Sequence, residues 1–362
     1  MSTESLTYSI EHLREFAARV FLSCGVPEED AGVASEVLTT ADLWGIDSHG
    51  VARLKAYYEM LTRGLINPCP RMRVVRESPS TLTLDGDNGL GLVVGPHAHE
   101  LALRKAEAVG TGWACVRHSN HFGIAGYYSV KALRYDMIGW TMTNTPPLVS
   151  PLWGADKMLG TNPVAVAFPG LEEPPVVIDM STSGVSFGVV ESAAREGHAL
   201  PAGLVADAEG RPSTRAEDVT QGGSLLPLGQ DRVHGGHKGY CLAAMIDILC
   251  GVLGGANWGP FVPPFPHYLP RPERSVGKGL GHLFGVFRID SFIEVEEFKR
   301  QVDDWVRVFR RARPAHGTTG PLVPGDPERA AEAVRRVGGV PLPSQIVADL
   351  RAIAARAGTP FD

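Results

Sequence analysis

The residues of this chain best suited to chemistry gather in short polar runs. The first is Gly45-Ile46-Asp47-Ser48-His49-Gly50-Val51-Ala52-Arg53, at the expected start of a helix. On one continuous helix His49, Arg53 and Tyr57, spaced four apart, share a face. Such a face offers a proton donor, a planar fork for a carboxylate and a hydroxyl side by side. The same run also reads as a capping turn, with Asp47 or Ser48 as cap and His49 in solvent. A hydrolase built on Ser48 and His49 is a rival reading. Neighbours on a helix point in different directions, however, and no GxSxG nucleophile elbow is present.

Arg117-His118-Ser119-Asn120-His121-Phe122-Gly123 follows an expected strand, in the kind of loop that commonly carries binding groups. His118 with His121, or His97 with His99, begins a metal pattern, but no further ligands follow at recognisable spacing and no metal is expected. Gly160-Thr161-Asn162-Pro163 and Asp179-Met180-Ser181-Thr182-Ser183 flank strands, where small hydroxyl residues bind ligands or simply form turns. Gly235-Gly236-His237-Lys238-Gly239-Tyr240 opens a helix, where free amides and a lysine suit a pyrophosphate, or else make a flexible helix entry. It is not a Walker loop, because no Ser or Thr follows Lys238. Gly89-Leu90-Gly91-Leu92-Val93-Val94-Gly95 approximates the dinucleotide fingerprint with one residue too many. No acidic residue ends a second strand to hold a ribose, so it is set aside.

These runs need elements to position them. Ile10, Leu13, Phe16, Ala17, Val20 and Phe21 fall at helical spacing after a cap at Ser9, and a second helix runs from Pro27 to Gly45. A third is expected from about Ser48 to Arg63. From Thr81 onward short β-rich runs alternate with helices: 81–84, a helix after Pro96, 113–116, a helix after Gly123, then 138–142, 164–168 and 176–178. Gly239 to Leu253 reads as a buried helix and 283–289 as a final strand. Residues 254–281, rich in Gly and Pro, read as a surface loop or lid. Phe292, Val295, Phe298, Val302, Trp305 and Phe309 form an amphipathic stripe, and 346–357 a last helix. The expected organisation is an N-terminal helical segment (1–75), an α/β region (76–290) and a C-terminal helical segment (291–362) packing on the first.

Composition narrows the function. With 362 residues, 44% hydrophobic and 20% charged, the chain can bury a core. A formal charge of -6 leaves no basic excess for nucleic acid, so a small anion must be held by a few local cations. Five scattered cysteines make no disulfide framework, the N-terminus is no signal peptide, and no apolar run nears the roughly 18 residues of a membrane span. A reducing cytoplasm is expected.

Together the runs around His49, His121, Asn162, Asp179 and Lys238 resemble the type-2 malate/L-lactate dehydrogenase family over nearly the whole chain. The resemblance implies an α/β fold whose nicotinamide-binding sheet lobe is not of the Rossmann type, flanked by N- and C-terminal helical segments. It also implies a homodimer in which the partner roofs part of the site. The implied activity is NAD(P)H-dependent hydride transfer to C2 of a small 2-oxo acid, or of a cyclic 2-imino acid. A non-catalytic NAD(P)-binding homologue is the non-enzyme rival. Catalytic candidates are Ser48, His49 and His121. Likeness makes His49 the proton donor and sets His121 near the reacting carbon, although some members would give His121 the acid/base role. Arg53, Tyr57, Thr161 and Asn162 are the candidate substrate contacts. The cofactor contacts implied are His121, Thr145, Asp179, Met180, Ser181, His237, Lys238, Gly239, Pro324, Gly325 and Asp326. Two departures stand out: Val189 where many relatives have lysine, and an insertion over Gly229 to His234. Asp47 and a bound carboxylate favour the His49 imidazolium while the helix start opposes it, so a pKa near neutrality is expected.

Overall fold

Elements in the computed structural model follow from hydrophobic spacing and from where backbone polar groups find partners. It describes residues 5–265 and 270–361. Strand β1 (Ser5–Tyr8) leads to helix α1 (Ile10–Ser23), capped by Ser9, whose Oγ accepts from the His12 N–H at 3.1 Å. The helically spaced residues Ile10 to Phe21 are buried as the pattern predicts. Helix α2 (Glu28–Leu43) carries three acids in its first turn, where the helix dipole favours them.

The next segment departs from the expected single helix. Asp47–His49 and Val51–Arg53 are separate 3-10 turns, and α3 is confined to Leu54–Thr62. The break has a cause in Asp42, buried near the end of α2. Its Oδ2 accepts from the Val51 N–H at 2.8 Å, and a Cβ at Gly50 would lie 1.9 Å from its Oδ1. The carboxylate therefore holds the chain in a conformation that only glycine fits at position 50.

Strands β2 (Arg73–Glu77) and β3 (Thr81–Asp85) precede α4 (Gly91–Val109) and β4 (Thr111–Ser119). Strand β2 crosses the boundary expected at 75, and α4 begins ahead of Pro96 rather than after it. Then come the short α5 (Gly126–Ser129), β5 (Met137–Thr143), β6 (Val164–Phe168), β7 (Val176–Met180) and α6 (Phe187–Glu196). Strands β8 (Val205–Ala206), β9 (Pro212–Ser213) and β10 (Ser224–Leu225), with α7 (Ala216–Thr220) between the last two, form a small sheet that no sequence period announces. Helix α8 (Gly236–Asp247) runs into a π turn at Ile248–Val252, followed by β11 (Leu280–Arg288), α9 (Val295–Arg310), α10 (Asp326–Gly338), β12 (Val340–Pro343) and α11 (Ser344–Ala357).

The main sheet has the order β2-β3-β4-β11-β5-β6-β7, and only β3 and β4, joined through α4, are parallel. This mixed sheet is not the parallel, doubly wound sheet of dinucleotide folds. The glycine-rich lookalike serves packing: a Cβ at Gly91 would be 2.2 Å from the Asn120 carbonyl. One sheet face shares a core with α1 to α4 and α11, including Phe16, Leu38, Val116 and Phe284; the other, through Cys115, Met142 and Leu283, packs on Ile246 and Cys250. Strand β1 pairs with β12, a pairing hidden from sequence reading by the distance along the chain between the two strands.

Three further expectations change. Helix α8 is not fully buried: Leu242, Met245, Ile248, Val252 and Leu253 form an exposed apolar stripe. In α9 the buried positions are Asp303 and Val306, with Val302 packed against the same cluster, while Trp305 and Phe309, and Phe292 ahead of the helix, face outward. Asp303 accepts from the backbone N–H groups of Leu171, Glu172 and Glu173, which fixes that rotation. The loop 254–281 is partly interior, with Ala256, Val262 and Phe265 buried; residues 266–269 of that expected lid lie outside the described residues.

Candidate active site

The antiparallel register brings the carboxyl ends of β5 and β7 and the amino ends of β6 and β11 to one edge of the sheet, beside the loop after β4. His282, buried at that edge, ties the strands: its Nε2 meets Ser119 Oγ at 2.8 Å and its Nδ1 meets Thr143 Oγ1 at 2.7 Å. Above this edge lies a cleft of about 300 Å³. Ser48, His49 and Arg53 enter it from the two 3-10 turns, His121 from the loop, and Thr145, Thr161, Asp179, Met180 and Ser181 from the strand ends. Segments more than a hundred residues apart thus converge on one volume.

His49 and His121 stack with ring centroids 5.6 Å apart. Phe265 stacks on the other side of His121 at 4.4 Å. His121 Nδ1 accepts from the Gly123 N–H at 3.3 Å, a group that can only donate, so the Tyr57 hydroxyl 2.6 Å away donates to it as well. The neutral His121 ring therefore carries its proton on Nε2. Tyr57, expected as a substrate contact, is fully buried and acts on His121 rather than lining the cleft. His49 Nδ1 lies 2.9 Å from Ser48 Oγ, and its Nε2 has no partner among the described residues. Ser48 and His49 do touch, contrary to the expectation from their adjacency on a helix.

The titration of these rings also differs from expectation. Burial, and then the Arg53 charge, lowers His49 to about 4. Burial, then His49, Arg53 and His282, hold His121 well below the usual histidine range. Asp47 cannot oppose this, since its carboxylate is taken by Arg335 of α10. Both imidazoles are thus neutral in the free protein at pH 7. Burial raises Asp179 to about 6; the Gly126 N–H, which its Oδ2 accepts at 2.7 Å, opposes the rise and Glu328 adds to it.

Arg53 is anchored from two directions. Its Nε donates to the Ser48 carbonyl at 2.7 Å, and its Nη2 pairs with Glu191 of α6 at 2.8 Å. Gly188, one turn before Glu191, lines the cleft so closely that a Cβ there would be 2.5 Å from the Ser48 Cβ. Sequence reading missed Glu191, Glu328 of α10 and the cleft-lining Phe265. Nothing in the local sequence marks Glu191, which lies far along the chain from Arg53.

Other expected contacts fall outside the cleft. Asn162 is buried scaffold: its Oδ1 accepts from the Thr145 N–H at 3.0 Å and its Nδ2 donates to the Ala243 carbonyl at 3.0 Å. Lys238 is exposed at the start of α8, beside His237 and Gly239. Two of the amides expected to be free there are taken, Gly236 N–H by the Asp231 carbonyl and Lys238 N–H by that of Gly235. The Pro324-Gly325-Asp326 turn abuts β7, with Asp326 engaged by Arg310 and Arg329. The histidines weighed as metal ligands are separated: His118 pairs with Asp85, and His99 is buried against Phe284.

The chain thus presents a histidine–arginine–tyrosine constellation at one edge of a mixed sheet with helices on both faces, an α/β fold outside the Rossmann class. Comparison with known proteins gives the family. The model of the malate/L-lactate dehydrogenase family matches residues 8–351. A malate dehydrogenase from Pyrococcus horikoshii is 40% identical over 349 residues, covering 96% of this chain and 94% of the relative. The crystal structure of malate dehydrogenase from Entamoeba histolytica superposes with a TM-score of 0.92 at 32% identity, over 99% of each chain. That of Δ1-piperideine-2-carboxylate reductase from Pseudomonas syringae gives 0.82 at 27% identity, over 96% of this chain and 100% of the other. The chain belongs to the malate/L-lactate dehydrogenase family.

Proposed function

We propose that this protein interconverts a small 2-hydroxy acid and its 2-oxo acid with NAD(H) or NADP(H), in a reducing cytoplasm. The observation that carries the reading is the meeting of His49, His121 and Arg53 in one cleft roomy enough for a nicotinamide ring beside a small acid. Five free cysteines suit such a compartment.

The residues present fit the cofactor. Thr145, Thr161 and Ser181 offer hydroxyls, Met180 and Leu148 a polarisable and apolar wall, and His121 an Nε2–H. The acids Asp179 and Glu328 disfavour phosphates inside the cleft, and the exposed Lys238 ammonium would hold the pyrophosphate. When bound, the nicotinamide ring supplies or accepts the hydride.

The chain's own residues do the rest. Arg53 holds the substrate carboxylate through its planar guanidinium. His49, neutral and with Nε2 unpartnered among the described residues, accepts the hydroxyl proton as a 2-hydroxy acid is oxidised, and returns it in reduction. Ser48 on Nδ1 sets the orientation of that ring. His121, stacked on it and hydrogen-bonded by Tyr57, polarises the same oxygen. An imino acid presents the same planar C2 beside a carboxylate, and likeness to the piperideine-2-carboxylate reductase keeps that substrate class as the second reading. The exposed apolar stripe of α8 supports a homodimer.

The test is a screen of 2-oxo and cyclic 2-imino acids, following loss of dihydronicotinamide absorbance with purified protein. Turnover of a small oxo acid with wild type, and at least hundredfold less with His49→Ala at unchanged cofactor affinity, supports the reading. Tight dihydronicotinamide binding without turnover of any member of the panel would make the protein a binding homologue instead.

A further inference from the structure

Arg53 is the only cation of permanent charge that lines the cleft among the described residues, while Asp179 and Glu328 line the same space. Glu191 then takes part of that one charge. Its Oε2 is 2.8 Å from Arg53 Nη2, and the two side chains are only 24% and 15% exposed, so solvent screens the pair weakly. Glu191 is mounted on α6, whose first turn brings Phe187 and Gly188 to the cleft wall. It is thus fixed relative to the substrate space rather than waving in solvent.

We propose that Glu191 is a specificity-determining residue. It holds the Arg53 fork in place for one carboxylate and offsets the rest of its charge, so the cleft selects 2-oxo and 2-hydroxy acids bearing a single carboxylate and an uncharged remainder. The inference rests on Arg53 being the carboxylate anchor. A first carboxylate gains charge-assisted hydrogen bonds to the guanidinium that outweigh its repulsion from Glu191. Among the described residues of one chain, a second anionic group on the same small molecule finds no further cation lining the cleft, only the fields of Glu191, Asp179 and Glu328. Among the residues lining the cleft, Ile46, Leu148, Phe187 and Phe265 suit an apolar remainder. The name of the Pyrococcus relative points to a dicarboxylate; the charge balance here points to a monocarboxylate.

The experiment compares wild type, Glu191→Gln and Glu191→Ala as full-length protein. It measures kcat/KM for pyruvate and oxaloacetate with saturating dihydronicotinamide cofactor, and binding of oxamate and tartronate to the cofactor complex. The wild type favours the one-carboxylate member of each pair. Glu191→Gln keeps a hydrogen-bond acceptor for Arg53 but removes the charge. It is expected to raise the oxaloacetate-to-pyruvate ratio about tenfold, about 1.4 kcal/mol for one partly screened charge, while pyruvate also gains because its carboxylate no longer meets the Glu191 charge. Glu191→Ala also frees the guanidinium and is expected to raise KM for both. A merely structural Glu191 would lower both substrates together and leave the ratio alone. An unchanged ratio in Glu191→Gln, in turnover and in binding, overturns the proposal, as does a wild type that already prefers the dicarboxylates. Failure to bind cofactor or to turn over any oxo or imino acid would instead sink the functional reading on which it rests.

Discussion

If His49 moves the proton, the two directions of the reaction have opposite pH profiles, with the break far below the usual histidine value. In the free protein burial and Arg53 hold His49 at about 4. At pH 7 about one ring in a thousand is protonated, and the proton costs about 4 kcal/mol to place, at about 1.4 kcal/mol per pH unit. Oxidation needs the neutral ring, so its kcat/KM should be level from pH 8 down and fall only as pH approaches 4. Reduction needs the imidazolium, so its kcat/KM should drop about tenfold per pH unit above 4. A carboxylate seated on Arg53 offsets the charge that depresses His49, so the break in kcat, which reports the complex, should lie above the break in kcat/KM. The assay is initial rate by dihydronicotinamide absorbance in both directions from pH 4 to 9, with wild type, His49→Ala and His121→Ala. The reasoning fails if the oxidation profile breaks near 6.5, or if the low break survives in His49→Ala and vanishes in His121→Ala, which would transfer the role to His121.

Three other outcomes follow from the geometry. Tyr57→Phe removes the hydroxyl that donates to His121 Nδ1 at 2.6 Å and should lower kcat by roughly tenfold, as for loss of about 1 to 1.5 kcal/mol, with the melting temperature little changed; an unaltered kcat would show that Tyr57 does not orient that ring. Gly50→Ala drives a methyl into the Asp42 carboxylate and should cost about 2 kcal/mol or more in denaturant unfolding together with most activity, whereas wild-type stability would contradict the account of the helix break. Lys238→Ala should weaken cofactor binding by roughly tenfold in calorimetry without loss of fold; equal affinity for both NADH and NADPH would remove Lys238 from the phosphate path.

Where side-chain period and burial agree, the sequence was informative. The inward residues of α1 and the long strands of the sheet followed from spacing alone, and five polar runs pointed to one family. Spacing misled where a tertiary contact outweighed local preference. Asp42 splits the helix that would have aligned His49, Arg53 and Tyr57, yet His49 and Arg53 still line the cleft and Tyr57 bears on it through His121, which arrives from another strand end. Asp303 turns α9 so that Trp305 and Phe309 of its apolar stripe face outward. The pKa of His49 could not be read locally either. Asp47 is adjacent in sequence, but Arg335 takes its carboxylate, and burial decides the value. Glu191 carries no local signature at all, since its meaning comes only from the arginine it meets across the fold.

The central claim is that hydride passes between a nicotinamide ring and C2 of a small acid in this cleft. Transfer of deuterium from C4-deuterated dihydronicotinamide tests it most directly, with mass spectrometry of the product formed from a 2-oxo acid by the wild type and by His49→Ala. The account predicts one deuterium at C2 of the 2-hydroxy acid from the wild type, and at least a hundredfold slower appearance of that label with His49→Ala. Product whose C2 hydrogen comes from water, or label that appears equally fast without His49, would contradict it.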